Sequence, residues 1–137
     1  MTQRDEYGRT ELHYAAFDGP IDEVRIRIEQ NADVNDRDNQ QWTPLHFAAQ
    51  MGRADVVALL LEAGAQVDAL TEKGVPALHL AISAPRDPIA TIRVLRSHGA
   101  DATAATIKSP FGLRSPLYYL RETRNKPDIQ AEFADLP

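Results

Sequence analysis

The chain of 137 residues contains no cysteine. That absence excludes disulfides, a thiolate nucleophile and cysteine-ligated zinc, and it suits a reducing cytoplasm. No apolar run approaches the ~20 residues that a membrane-spanning helix needs. The opening Met1-Thr2-Gln3-Arg4-Asp5-Glu6 lacks the apolar core of a secretory signal. Also lacking are a glycine-rich phosphate loop, a Gly-x-Ser-x-Gly elbow and paired histidines on one helical turn. No motif therefore supports an enzyme, a metal centre or a bound cofactor. A basic stripe is missing too, which argues against nucleic acid as a partner. These absences define the expectation of a non-catalytic, cytoplasmic, soluble domain, monomeric when free, without cofactors or contacts to membrane or nucleic acid.

What is present is ordinary in amount but not in arrangement. Hydrophobic residues make up 43% and charged residues 26%, as in a folded globular chain. Net charge is −5, yet residues 1–68 sum to −7 and residues 69–137 to +2. An acidic half of this kind can steer association with a basic protein surface.

The main regularity is a period of 33 residues. "TELHYAA" at 10–16 returns as "TPLHFAA" at 43–49 and "PALHLAI" at 76–82, so Leu12, Leu45 and Leu78 stand 33 apart, each followed by His13, His46 or His79. "NADVN" at 31–35 recurs as "GAQVD" at 64–68 and "GADAT" at 99–103. A weaker copy, "SPLYYLR" at 115–121, places Leu117 39 residues beyond Leu78. The six extra residues divide between "SAPRDP" at 83–88 and "TAATIKSPFGLR" at 103–114.

Each unit carries helix signals. Thr43 is a good N-cap and Pro44 suits the first helical position; Ser115-Pro116 repeats the pair. Gly19 and Gly52 end the first helices. Second helices follow with apolar residues at helical spacing, at Ile21, Val24 and Ile28, then at Val56, Leu59, Leu60 and Leu61, then at Ile89, Ile92, Val94 and Leu95. Asn31, Gly64 and Gly99 stand where each second helix must stop in the left-handed conformation. A terminal helix is expected at about 127–135, with Ile129, Phe133 and Leu136 turned inward.

These residues resemble the ankyrin-repeat family, whose motif Thr-Pro-Leu-His-x-Ala runs unbroken from Thr43 to Ala48. It is degraded at Glu11, at Pro76-Ala77 and throughout the last unit. The similarity extends from about Asp5 to about Leu136. It implies an all-α solenoid of four helix-turn-helix repeats, at about 5–37, 38–70, 71–106 and 107–137, with β-turn fingers projecting from the helix pairs. Leu120 and Arg121, in place of the paired alanines, fit a C-terminal cap that no further repeat approaches.

Three histidines at fixed spacing invite a metal hypothesis, which geometry opposes. Equivalent residues in stacked repeats lie ~8–10 Å apart, one helix-packing distance, whereas zinc ligands must reach within ~2 Å of the ion. The resemblance implies instead that the histidine hydrogen-bonds the turn backbone and holds adjacent repeats together.

The same resemblance implies recognition of another protein through a concave groove, with contacts just before the Leu-His pair and just after the alanines. Those positions are Tyr7, Arg9, Phe17 and Asp18; Asn39, Gln40, Trp42, Gln50 and Met51; and Lys73, Val75 and Ser83. Aromatic anchors beside arginine and methionine match the usual composition of interface hot spots. Phe17 and Met51 have an alternative role, covering the helix pair against solvent. Phe111, beside Lys108 and Arg114, either makes the 103–114 loop a contact finger or tucks under the cap. An inhibitor of the immunity or antitoxin type, covering a basic toxic enzyme, is the alternative function; a structural spacer is the other.

Overall fold

Threonine caps, an early proline and paired alanines place short helices where the repeat pattern puts them. The computed structural model describes residues 4–122 and 126–136. Its helices are α1 (Glu11–Asp18), α2 (Ile21–Glu29), α3 (Pro44–Gln50), α4 (Ala54–Glu62), α5 (Ala77–Ile82), α6 (Pro88–Ser97), α7 (Pro116–Glu122) and α8 (Pro127–Ala131). The odd-numbered helices pack in one row, α1 on α3 on α5 on α7, and the even-numbered helices in a second row beside it. The fold is therefore mostly helical and repetitive.

Burial follows the repeat phase. Leu12, Leu45 and Leu78 are buried, as are the small residues Ala15, Ala16, Ala48, Ala49 and Ala81 that let successive first helices approach closely. From the second helices, Val24, Val56, Val57, Leu60, Ile92 and Leu95 complete one continuous core. Asn31, Gly64 and Gly99 all adopt positive φ at the ends of the second helices, as their positions require.

A turn precedes each first helix of the first three units, and all three are built alike. Asp5, Asp38 and Thr71, 33 residues apart, each open one. The Asp5 and Asp38 carboxylates accept from backbone N–H groups across the turn, at Tyr7 and Arg9 and at Gln40 and Trp42. The Thr71 hydroxyl accepts from Val75. Successive turns are joined by main-chain bonds: Asn39 N–H to Tyr7 C=O (2.9 Å), Glu72 N–H to Gln40 C=O (2.9 Å), and Lys108 N–H to Lys73 C=O (3.0 Å). Gly74 has to be glycine on two counts. Its φ is +75°, and a Cβ there would lie 1.9 Å from the Thr106 carbonyl oxygen of the next segment.

Arginines add cross-links the sequence did not disclose. Arg53, at the start of α4, donates to the C-terminal carbonyls of α1 at Ala15 and Ala16. There its charge suits the helix dipole. Arg4 and Arg37, again 33 apart, donate to the carbonyls of Arg37 and Leu70 respectively.

The mostly helical structure fits the expected all-α repeat fold, and residues 103–114 add a short antiparallel hairpin of β1 (Ile107–Ser109) and β2 (Gly112–Arg114) around Pro110-Phe111. Proline presets the first central position of such a turn, and Gly112 takes φ +104° after it. Phe111 does not tuck under the cap, being 84% exposed. The last helix ends at Ala131 rather than near Asp135. From Glu132 to Leu136 the chain tightens into i→i−3 bonds, while the Arg96 guanidinium takes the Glu132 carbonyl and the Asp135 carboxylate. Arg93 grips the Glu132 carboxylate in a bidentate pair. Ile129 and Phe133 are buried as expected and Leu136 is half-buried against them. Leu120 is buried in the same cluster, filling space beside this terminal segment.

Candidate interaction surface

The conserved geometry of the histidines separates framework from surface. His13 Nδ1 accepts from the Thr10 backbone N–H (3.0 Å), and its Nε2–H donates to the Trp42 carbonyl (3.0 Å). His46 repeats this with Thr43 (3.0 Å) and Val75 (3.0 Å). A backbone N–H can only donate, so Nδ1 must be unprotonated and the ring proton sits on Nε2, facing a carbonyl that can only accept. Each histidine thereby closes a capping box on its own helix and ties that helix to the next turn. Both nitrogens are engaged, and among the described residues no three His, Cys, Asp or Glu side chains are grouped to hold a metal ion. Burial pushes the His46 imidazole down to about 4, and lowers His13 and His79 as well.

His79 departs from the pattern. Pro76 occupies the cap position and has no N–H or hydroxyl to offer, so His79 Nδ1 is buried without a hydrogen-bond partner. Its ring packs on Tyr119 at 5.0 Å. Pro76 has φ −83° and ψ 160°, close to the −97° and 166° of Thr43, so threonine fits without strain. Pro76→Thr is expected to raise stability by about 1 kcal/mol by supplying the missing donor. Chemical denaturation checks this, and an unchanged or lower midpoint refutes the orphaned-ring account.

An aromatic and cationic cluster lies between the first two units, outside the histidine framework. The Arg9 guanidinium stands over the rings of Tyr7 (4.9 Å), Phe47 (5.1 Å) and Tyr14 (6.0 Å) and pairs with Asp38 at 3.3 Å. Trp42 packs on Phe47 at 5.0 Å, and Phe17 meets Phe47 edge-on at 6.0 Å. The Tyr14 hydroxyl donates to the Asp5 carboxylate, which holds that acid below its ordinary range. Arg9 is thus pre-positioned by three rings and one carboxylate, with Tyr7 and Tyr14 exposed beside it.

The expected contact residues divide by exposure. Tyr7, Asp18, Asn39, Gln40, Lys73 and Ser83 are exposed; Arg9, Phe17, Trp42, Gln50, Met51 and Val75 are half-buried. The cluster brings together Tyr7, Arg9, Phe17 and Trp42. It does not include Asp18 or Ser83, and Val75 serves mainly as the carbonyl acceptor of His46. Tyr14, Phe47 and Asp38 were missed. Tyr14 and Phe47 both occupy the variable position of Leu-His-x-Ala, and an aromatic there in two successive units was the available signal.

The stacked helix pairs, linked turns and capping histidines define a repeat protein of the ankyrin kind. The family model for ankyrin repeats (three copies) matches residues 1–71, and the chain belongs to that family. No curated protein matches it. Ankyrin repeats are generally protein–protein interaction modules. Among the described residues, no helix is long and apolar enough to cross a membrane.

Proposed function

We propose that this protein is a non-catalytic binding module that holds a partner protein in the groove between its turns and its row of first helices. The observation that carries this reading is the cluster around Arg9: a cation, four aromatic side chains and a tryptophan gathered at one junction, with Tyr7 and Tyr14 open to solvent. Packing alone does not call for exposed tyrosines there, whereas interfaces concentrate Tyr, Trp and Arg. Asn39 and Gln40, exposed at the tip of the neighbouring turn, supply polar contacts at the rim.

Trp42→Ala tests the reading. Truncating a half-buried tryptophan at a hot spot is expected to weaken partner binding by ~2 kcal/mol or more, roughly thirtyfold. Calorimetric titration against a partner isolated by affinity purification measures it. Because Trp42 also packs on Phe47 and His46, Tyr7→Ala is the companion variant, expected to lose affinity with its melting temperature unchanged. Undiminished affinity in both variants refutes the groove reading and favours a spacer.

A further inference from the structure

The main-chain bonds that join successive turns do not end at the third unit; they continue into the hairpin and stop there. Lys108 donates its N–H to Lys73, away from β2. The pair Lys108↔Leu113 is therefore a non-hydrogen-bonded pair of the antiparallel ladder, and Leu113 must direct its own N–H and C=O away from β1. Among the described residues, the Leu113 N–H meets no acceptor, and its C=O accepts only from the Arg114 side chain. Sheet edges are usually blunted by charge, proline or a covering loop. Here the edge is flanked by Phe111, 84% exposed, and Leu113, 56% exposed.

Positive charge gathers near this edge in a chain whose net charge is −5. Lys73, Lys108 and Arg114, brought together by the hairpin, pair with no carboxylate among the described residues. Lys108 Nζ donates to the Glu72 carbonyl, and the Arg114 guanidinium lies over the Tyr118 ring at 4.8 Å. A second copy of the chain pairing edge to edge would set these cations against their own kind.

The geometry points to the outer edge of β2 as a strand-addition site for an extended acidic segment of a partner protein, alternating apolar and carboxylate side chains. The added strand would bond the Leu113 main chain, place an apolar side chain beside Leu113 on one face of the hairpin, and bring a carboxylate to Arg114 on the other face. This site goes beyond the groove and does not depend on the cluster around Arg9.

The probe is a fluorescently labelled peptide of alternating valine and glutamate, titrated into the full chain by anisotropy, with amide exchange followed by NMR. Saturable binding with selective protection of the Leu113 amide is expected. Arg114→Glu should weaken it at least tenfold, and the valine–lysine counterpart should not bind. Leu113→Pro, which removes the outward N–H, should abolish binding, while Leu113→Ala should change it less than threefold; circular dichroism melts confirm that both variants fold. Trp42→Ala should leave this binding unchanged, so the two proposals fail separately. No binding, equal binding of the lysine peptide, an unprotected Leu113 amide, or Leu113→Pro binding as tightly as the unaltered chain would each overturn the proposal. So would self-association that protects the Leu113 amide without peptide.

Discussion

His46→Ala is expected to lower stability by about 3–5 kcal/mol, the largest effect of any single substitution in the framework. The imidazole is fully buried at the junction of the second and third units and satisfies two main-chain groups there. Removing it orphans the buried Thr43 N–H, at about 1–3 kcal/mol, and leaves the Val75 carbonyl with the Thr71 N–H alone. It also opens a cavity next to Trp42, whose ring lies 5.8 Å from the imidazole. Denaturant titration measures the loss, and partner affinity at a temperature where the variant is folded separates framework from function. A stable variant that no longer binds its partner would falsify the framework role.

Acid should act on the same ring. His46 is held at about 4 in the folded chain, against an ordinary value near 6.5. Between those values the unfolded chain takes up a proton that the folded chain refuses. The stabilisation is complete above about pH 6.5 and is lost as pH falls toward 4, by about 3 kcal/mol for this group. Protonation would place a hydrogen on Nδ1 facing the Thr43 N–H, so the charged ring cannot keep its cap. His13 and His79 are shifted in the same direction by burial and steepen the slope. Denaturation midpoints at pH 7 and pH 5 should differ accordingly, and His46→Gln should flatten the dependence. A midpoint that does not change over that range, or a His46→Gln variant with the same slope, would contradict this account.

Particular residues show how much could be read in advance. Leu12, Leu45 and Leu78, the alanine pairs and the left-handed Asn31, Gly64 and Gly99 all take the roles their phase assigns, because a repeating unit imposes one environment at each position. His13 and His46 likewise serve the turns, whereas His79 loses its cap bond to the proline at position 76. Phe47 and Tyr14 were passed over because they sit inside the motif, where an aromatic repeated in two units was the one signal they offered. Their importance comes from Arg9, a residue of a separate turn whose side chain reaches over both. Arg53 was invisible for a similar reason: its carbonyl partners lie 34 to 38 residues away and have no side-chain identity to read.

The sequence by itself determined the helix pairs, their period and the buried ridge, since these follow from local spacing repeated three times, and its motif placed the chain in the ankyrin-repeat family. Where the repeats break, only tertiary structure decided the outcome. Residues 103–114 carried no periodic pattern, and they form a hairpin because Lys108 completes the main-chain ladder begun by the earlier turns. The terminal helix stops at Ala131 because arginines of α6 take its carbonyl and carboxylates. Which aromatic side chains gather and which sheet edge stays open depend on contacts between units. Spacing along one chain cannot specify contacts that form only when the units stack.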